Sequence, residues 1–380
     1  MTNLFTETHI HLAEGFSPAD QGELVHQVEP SDSIVGPDDL ILVTGASGFV
    51  GTRVVESLLG RGFRNLRCFV RPSSPTDWLG ALSTRGHGAG IEVLKGNLLS
   101  REDCAAATRD VALIYHLAAG RGEKSFPDAF MNSVVTTRNL LDASLNHKCL
   151  KRFVNISSFT VYTNRQKSRW GLLDETCPVE THSDWRGEAY CFGKVKQDEL
   201  VTEYGQRFGV PHVIVRPGYV IGPGKTAITG RVGIETFGFF LHMGGSNRIP
   251  FTFVENCADA IALAGLKKGV DGEIFNVVDD DLPSSRLFLR LYKRKVRKFR
   301  SLYVPHVLSY VLCSLWERYS TWSQGQVPPV FNRGRWFANW KRTDYSNQKL
   351  KTRLGWSPRV SMAEGLNRYF EACQNRESNA

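Results

Sequence analysis

The sequence predicts an α/β protein with a doubly wound parallel sheet and a smaller C-terminal lobe. Short apolar segments of strand length alternate with segments of helical periodicity between residues 40 and 216. A glycine-rich turn follows the first of these strands, where a parallel sheet commonly binds a ligand. After residue 216 the alternation becomes less regular and glycine-containing loops appear. Regular alternation of this kind is typical of a single sheet with helices on both faces.

The first strand and its glycine turn read LILVTGASGFVG, from Leu40 to Gly51. Four apolar residues suit a buried strand, glycines stand at positions 45, 48 and 51, and a helix is predicted from Val50 to Leu59. Glycine lets backbone N–H groups approach a phosphate closely, and the positive end of the helix favours the negative charge. An ordinary strand-to-helix turn is the alternative. We favour a pyrophosphate site in a Rossmann-type fold.

The second predicted strand, Leu66 to Val70, ends at Arg71. An acid at this position would bind the ribose hydroxyls of NAD(H), whereas a cation accommodates the 2′-phosphate of NADP(H). No Asp or Glu lies between Leu66 and Ser74. NADP(H) is therefore favoured and NAD(H) remains open, because Arg71 could instead be a solvated cation at the end of a strand.

Further strands are predicted over residues 91–95, 111–115, 152–156 and 213–216, with one helix from 125 to 146. A helix over 258–266 and a strand over 273–278 follow the glycine-containing loops. We therefore predict a cofactor domain over 40–216. A substrate lobe takes up most of 217–380, with about 256–278 returning to the cofactor domain.

Three polar residues predict the chemistry. Ser158 follows the fifth strand, and Tyr190 and Lys194 stand one helical turn apart at the start of a helix predicted to end near Phe208. A nearby cation favours the phenolate form, so the phenol can give or take a proton near neutral pH. Tyr and Lys at this spacing are also frequent on solvated helices. The order of glycine turn, strand-end serine and YxxxK gives the pattern its weight.

The segments TGASGFVG, HLAAG, NISSFTVY, YCFGK and RPGYVIGPG together resemble the extended short-chain dehydrogenase/reductase family. This family includes NAD-dependent epimerase/dehydratases and 3β-hydroxysteroid dehydrogenases. The resemblance extends over about residues 40 to 370, since the LGWSP segment near the C-terminus also fits.

The resemblance implies roles for individual residues. Tyr190 and Lys194 would also contact the cofactor, and catalysis would use Ser158, Tyr190, Lys194 and Asn132. The remaining cofactor-binding residues would be Gly45, Ser47, Gly48, Phe49, Val50, Gly51, Arg71, Asn97, Leu98, Ala118, Ala119, Pro217 and Val220.

Departures from the family pattern bear on the substrate. Phe159 and Thr160 stand where the 4,6-dehydratases of the family have an Asp-Glu pair, so dehydration is not expected. Tyr219 replaces the asparagine of many nucleotide-sugar enzymes and resembles the hydroxysteroid branch. A diphosphate could still be met by the basic residues Lys225, Arg231 and Arg248. The predicted substrate residues are Tyr219, Arg231 and Arg248.

We therefore predict an NAD(P)-dependent oxidoreductase that interconverts a secondary alcohol and a ketone on a bulky nucleotide sugar or sterol-like substrate. A nucleotide-sugar 4-epimerase with tightly bound NAD is one alternative. A non-catalytic NADP(H)-binding protein at a membrane or protein partner is another.

Composition adds constraints on location and partners. Eight cysteines without a CxxC pair favour a reducing cytoplasm, and neither a disulfide framework nor a metal site is expected. Residues 1–39 hold eight acids and no Lys or Arg, which predicts a flexible acidic extension. The basic segment 293–300 predicts either a solvated helix face or a peripheral contact with the inner face of the membrane. No nucleic-acid partner is expected, and a homodimer remains open.

Overall fold

The computed structural model describes residues 32–76, 78, 90–119, 125–165, 171–183, 186–236, 238–324, 326–327 and 331–378. Most of the acidic extension predicted for residues 1–39 lies outside these residues, as does Gly120. The last part of the extension packs on the body of the protein: Val35 is buried, and the Ile34 N–H donates to the Leu266 carbonyl oxygen at 2.9 Å.

The strands of the described chain are β1 (Ile41–Thr44), β2 (Asn65–Val70), β3 (Gly90–Lys95), β4 (Leu113–His116), β5 (Arg152–Ile156), β6 (Leu172–Leu173), β7 (His212–Pro217), β8 (Tyr219–Ile221), β9 (Gly233–Thr236), β10 (Phe239–His242), β11 (Phe251–Phe253), β12 (Ile274–Val277), β13 (Ser301–Tyr303) and β14 (Asp344–Tyr345).

The helices are α1 (Gly51–Gly60), α2 (Arg101–Thr108), α3 (Phe126–Ala129), α4 (Thr136–Leu145), α5 (Ala189–Phe208), α6 (Val254–Leu266), α7 (Ser285–Lys295), α8 (His306–Trp322), α9 (Arg333–Asn339), α10 (Gln348–Leu354) and α11 (Met362–Ser378). A π-helical turn, Phe130–Val135, joins α3 to α4.

Seven parallel strands form the central sheet, in the order β12-β7-β5-β4-β1-β2-β3. Every residue of β1, β4 and β5 is buried, as expected for strands covered by helices on both faces. The predicted doubly wound parallel sheet is confirmed. Successive strands are added in one direction from β1 to β3 and in the opposite direction from β4 onward. The order therefore switches between β1 and β4, and a crevice opens at the carboxyl ends of these two strands.

One face of the sheet is covered by α6, which packs against β4. A Cβ atom on Gly265 of α6 would lie 2.3 Å from the Tyr115 hydroxyl of β4. The same hydroxyl donates to the Ala262 carbonyl oxygen at 2.8 Å. Only a glycine at position 265 allows the helix to come this close. The packing therefore fixes the position of β4, whose last residue is His116.

The helix predicted from 125 to 146 is interrupted in the structure by the π-helical turn. This turn packs on α5 at Gly193, where a Cβ atom would lie 3.2 Å from the Ala129 carbonyl oxygen and 3.4 Å from Ser133 Oγ. The close approach brings the interrupted helix against the turn of α5 that follows Tyr190.

The chain after β7 forms two smaller sheets, β13-β10-β9 and β11-β8, and its strand β14 pairs with the earlier strand β6. It returns through α6 to β12, which pairs with β7. None of the helices that the structure describes is long and apolar enough to span a bilayer.

Asp279, two residues after β12, holds the returning segment in place. Its buried carboxylate accepts hydrogen bonds from the Thr252 hydroxyl (2.9 Å), the Phe253 N–H (2.9 Å) and the Asn256 side-chain amide (2.8 Å). Burial raises the pKa of Asp279 to about 6, although these three donors oppose the shift.

We predict that Asp279→Asn removes a pH dependence of stability. Between about pH 4 and 6 the native carboxyl holds a proton that the unfolded chain has released. The free energy of unfolding therefore falls as pH rises through this range, by up to roughly 3 kcal/mol. The amide can keep all three bonds by donating to Thr252. Urea unfolding from pH 4 to 7 should show this fall in the wild type relative to the variant.

The matched control is Asp281→Asn, because Asp281 is exposed. Its stability curve should run parallel to that of the wild type. Parallel curves for the wild type and Asp279→Asn would contradict the assignment of the buried proton to Asp279.

Candidate active site

The glycine turn lies at the crevice between β1 and β4. Gly45 has a positive φ of 68°, and a Cβ atom there would lie 2.9 Å from the Ala118 backbone nitrogen. A Cβ atom on Gly51 would lie 2.1 Å from the Gly45 carbonyl oxygen. Both positions therefore require glycine, and the turn is pressed against the chain that leaves β4.

The start of α1 is open toward this turn. No side chain caps the helix at Val50, and no acid lies in its first turn. The first N–H groups of a helix have no partner within the helix, and its dipole favours an anion there. Ser47, Gly48 and Phe49 form the connection between Gly45 and the helix. The turn is thus suited to a dinucleotide pyrophosphate.

A buried row of polar side chains lies behind the turn. The Thr44 hydroxyl is 2.9 Å from His116 Nδ1, and His116 Nε2 is 2.9 Å from the Thr137 hydroxyl. The Gln197 side-chain amide donates to the same hydroxyl at 2.9 Å, and Gln197 Oε1 accepts from Lys194 Nζ at 2.8 Å. The row joins the end of β1 to α5.

The proton positions in this row follow from one donor. The Thr137 hydroxyl donates its only proton to the Ser133 carbonyl oxygen at 2.5 Å, so it must accept from both Gln197 and His116 Nε2. His116 Nδ1 is then free to accept from Thr44. Burial, together with the charge of Lys194, lowers the pKa of His116 to about 3, so the ring is neutral.

Lys194 is a buried charged group of the site. Its side chain is buried, and the ammonium donates to the Ile156 carbonyl oxygen at 2.6 Å as well as to Gln197. Tyr190 lies one turn earlier on α5 and is 39% exposed. Hydrogen bonds from Asn155 and Ser157 to Asp198 also fasten the end of β5 to α5.

Ser158 and Tyr190 line a cavity of about 500 Å³. Ser158 is in extended conformation, and its hydroxyl accepts from the Thr160 N–H at 3.2 Å. The predicted substrate residues Tyr219 and Arg231 line the same cavity. The structure therefore brings these four predicted residues together around one space.

The sequence pattern did not identify two further arginines of this cavity. Arg186 is buried and donates to the Thr160 carbonyl oxygen at 2.6 Å. Arg335, on α9, donates to the carbonyl oxygens of Arg186 and Gly187. Glu188 lies 2.5 Å from Arg186 and 3.7 Å from Arg335. With Arg231, three arginines and one glutamate line the cavity, and this excess of positive charge favours an anionic ligand.

The residues predicted to bind the adenosine lie at the ends of β2 and β3. Arg71 is exposed and directly follows β2. Asn97 is exposed, and its side-chain oxygen accepts from the Leu99 N–H at 3.0 Å. The Leu98 side chain is buried, and the Asn139 side-chain amide donates to the Leu98 carbonyl oxygen at 3.0 Å. An exposed cation thus lies beside a fixed loop.

The residues predicted to lie beside the nicotinamide are found where β7 passes into β8. Pro217 ends β7, and Val220 is buried in β8. The Tyr219 N–H between them donates to the Pro250 carbonyl oxygen at 2.7 Å. Ala118 and Ala119 lie just after β4, and the Ala118 N–H donates to the Thr44 hydroxyl at 3.3 Å.

Two predicted residues are not brought to this arrangement. Asn132 lies in the π-helical turn with an exposed side chain, and the amide that contacts Lys194 belongs to Gln197. Arg248 is outside the cavity lining, with its guanidinium 3.7 Å from the Asp344 carboxylate. Both differences follow from tertiary packing, which spacing along the chain does not report.

Lys225 connects the cavity to the glycine turn. Its ammonium lies 4.1 Å from the centre of the Tyr219 ring and 5.9 Å from that of Phe49. It therefore supplies a cation between the predicted substrate residue and the predicted pyrophosphate residue.

Comparison with known proteins adds independent evidence. A trifunctional UDP-glucose 4,6-dehydratase/UDP-4-keto-6-deoxy-D-glucose 3,5-epimerase/UDP-4-keto-L-rhamnose-reductase of Arabidopsis thaliana is 25% identical over 354 residues, which cover 87% of this chain and 46% of that protein. A 3 beta-hydroxysteroid dehydrogenase/Delta 5→4-isomerase of Mycobacterium tuberculosis is 32% identical over 197 residues, 48% of each chain. The chain spans about half the length of these curated relatives.

The fold has close counterparts among solved structures. A UDP-glucuronic acid 4-epimerase from Bacillus cereus in complex with NAD superimposes with a TM-score of 0.65 at 22% identity, covering 89% of this chain and 99% of that one. At this identity the likeness concerns the fold.

The model of the NAD dependent epimerase/dehydratase family matches residues 41–277. This range begins at β1, contains the glycine turn and the Ser158, Tyr190 and Lys194 segments, and ends with β12. The resemblance to extended short-chain dehydrogenase/reductases is thereby confirmed. Since the match extends over more than half of its length, the chain belongs to the NAD dependent epimerase/dehydratase family.

Proposed function

We propose that the protein is an NAD(P)-dependent oxidoreductase that interconverts a secondary alcohol and a ketone on a bulky anionic substrate of the nucleotide-sugar class. The observation that carries the proposal is the cavity in which Ser158 and Tyr190 face three arginines, with Lys194 buried directly behind. When bound, the cofactor supplies or accepts the hydride at its nicotinamide.

Tyr190 would move the proton of the substrate hydroxyl. Its exposed phenol faces the cavity, and the Lys194 ammonium one turn away favours the phenolate. Ser158 would hold the reacting oxygen, because its hydroxyl is fixed by the Thr160 N–H. Lys194 is held by Ile156 and Gln197, so its charge is pre-oriented before a ligand arrives.

A dehydratase activity is disfavoured by the residues after Ser158. Phe159 is buried between Tyr162 and Tyr345, at ring-centroid distances of 5.9 and 5.8 Å. Neither Phe159 nor Thr160 carries the acid or base that elimination of water needs.

A nucleotide-sugar 4-epimerase is the second candidate, supported by the fold shared with the B. cereus UDP-glucuronic acid 4-epimerase. Such an enzyme uses the same residues twice and shows no net cofactor turnover. Mass spectrometry of the purified protein separates the two candidates: firmly retained NAD favours the epimerase, and exchangeable cofactor favours the reductase.

We predict that Tyr190→Phe abolishes turnover while leaving cofactor affinity nearly unchanged. The variant lacks the transferable proton, and general acid–base catalysis contributes about 10²- to 10⁴-fold. The measurement is steady-state turnover with a panel of nucleotide sugars, paired with cofactor titration. Tyr204→Phe is the control, because Tyr204 lies on the same helix with its hydroxyl bonded to Asp142. Wild-type turnover in Tyr190→Phe would refute the assignment.

We predict that Arg231→Gln raises KM for an anionic substrate at least tenfold and changes kcat little, because a guanidinium that binds the substrate charge acts before the chemical step. Arg248→Gln serves as control, since Arg248 lies outside the cavity lining. An equal rise of KM in both variants would contradict the role of the cavity.

We propose that NADP(H) is preferred over NAD(H), on the strength of the exposed Arg71 after β2. Arg71→Gln should weaken NADPH binding roughly ten- to a hundredfold through loss of a charge-assisted contact with the 2′-phosphate, and should leave NADH binding unchanged. Calorimetric titration with each cofactor measures both values. Arg64→Gln, also exposed and just before β2, is the control. Equal affinities of Arg71→Gln and wild type for NADPH would contradict this preference.

A further inference from the structure

Helix α8 turns its small residues toward the protein. Ser309, Cys313 and Ser320 are its buried positions. The Trp336 side chain donates to Ser309 Oγ at 2.8 Å, and the Ser320 hydroxyl donates to the Val327 carbonyl oxygen at 2.6 Å. Aromatic rings complete the attachment, since the ring centre of Tyr310 lies 5.1 Å from that of Trp336 and that of Trp316 lies 5.8 Å from that of Phe331.

The outer side of α8 is apolar. Val307 and Trp322, near the two ends, are 73% and 78% exposed. The exposed large side chains of the helix are Val307, Leu308, Val311, Leu312, Leu315, Trp316, Tyr319 and Trp322. A contiguous apolar face of this size on a protein surface marks an interaction site.

Charge is nearly absent from this helix. Among its seventeen residues only Glu317 and Arg318 are acidic or strongly basic. Glu317 is paired with Arg333 at 2.9 Å. The strand that leads into the helix extends the apolar face, because Leu302 and Tyr303 are 60% and 44% exposed.

Cations lie beside the start of this face. Arg286, Arg290 and Arg294 are exposed at intervals of four residues on α7. Two α7 cations touch β13: Lys293 Nζ donates to Ser301 Oγ at 2.6 Å, and the Arg286 guanidinium lies 5.6 Å from the centre of the Tyr303 ring.

The surroundings of His242, a buried histidine next to Tyr303, show the same grouping of α7 cations, β13 and the start of α8. His242 and Tyr303 have ring centroids 5.6 Å apart. Burial lowers the pKa of His242 to about 4, and the charges of Arg286, Lys293 and His306 add to the shift. The first residue of α8 and the α7 cations therefore share one corner of the molecule.

We propose that α8, with the arginines of α7, docks the protein on an anionic phospholipid bilayer. The helix would lie in the plane of the interface with its leucines toward the acyl chains. Tyr319 and Trp322 suit the headgroup level, and the cations would contact lipid phosphates. The α7 cations beside the apolar face complement the negative charge of an anionic bilayer, which favours lipid over a second copy of this chain. The proposal is independent of the proposed catalytic function.

The test is co-sedimentation of the full chain with vesicles of phosphatidylcholine alone or of phosphatidylcholine with 30% phosphatidylserine. Strong binding to the anionic vesicles is expected. Arg286→Gln with Arg290→Gln and Arg294→Gln should weaken it about a hundredfold, and added salt should weaken wild-type binding. The matched control replaces three exposed arginines elsewhere, Arg101, Arg109 and Arg138, by Gln.

Insertion of the helix is tested separately. Leu312→Ser with Leu315→Ser should weaken binding at least tenfold, whereas Leu145→Ser, an exposed leucine on α4, should not. Trp322 should shift its emission to the blue on binding, and Trp322→Phe should remove much of that shift. Circular dichroism verifies that each variant is folded.

Three results would overturn the proposal. One is equal or absent sedimentation with both vesicle types. Another is binding that the leucine substitutions leave unchanged. The third is a stable dimer by sedimentation equilibrium that Leu312→Ser with Leu315→Ser converts to a monomer, together with absent vesicle binding, which would assign the face to a second copy.

Discussion

One buried row of hydrogen bonds connects the predicted cofactor side of the site to the predicted catalytic side. It runs from Thr44 through His116, Thr137 and Gln197 to Lys194. Burial keeps His116 neutral, so Nδ1 can accept from Thr44 while Nε2 donates to Thr137. The ends of β1, β4 and α5 thus keep one mutual arrangement, and the glycine turn and Tyr190 depend on it.

The sequence predicted the elements that repeat a local pattern. β1 was predicted over 40–43 and spans Ile41–Thr44, and the helix predicted to open at Tyr190 and to end near Phe208 spans Ala189–Phe208. Buried parallel strands are apolar throughout, and a glycine turn leaves a distinct signature, so both can be read from the chain alone. The predicted helix over 125–146 differs, because contact with Gly193 rather than local propensity shapes its π-helical turn.

Residues that only the tertiary fold brings to the site were harder to predict. Arg186 and Arg335 reach the cavity from segments about 150 positions apart, and no spacing links them. Gln197 was not predicted, because glutamine on a helix is usually solvated. Only the fold buries it beside Lys194. The cavity therefore has a charge that the sequence only partly indicated, through Arg231. This excess of guanidinium groups is what favours an anionic substrate in our account.

The central claim is that the crevice between β1 and β4 binds one nicotinamide dinucleotide beside Tyr190. The most direct measurement is titration of the purified protein with NADPH and with NADH, following nicotinamide fluorescence after any retained cofactor has been identified by mass spectrometry. We expect one saturable site per chain, from which the oxidised cofactor displaces the fluorescent reduced cofactor. A folded protein that neither retains a dinucleotide nor binds an added one would contradict this assignment.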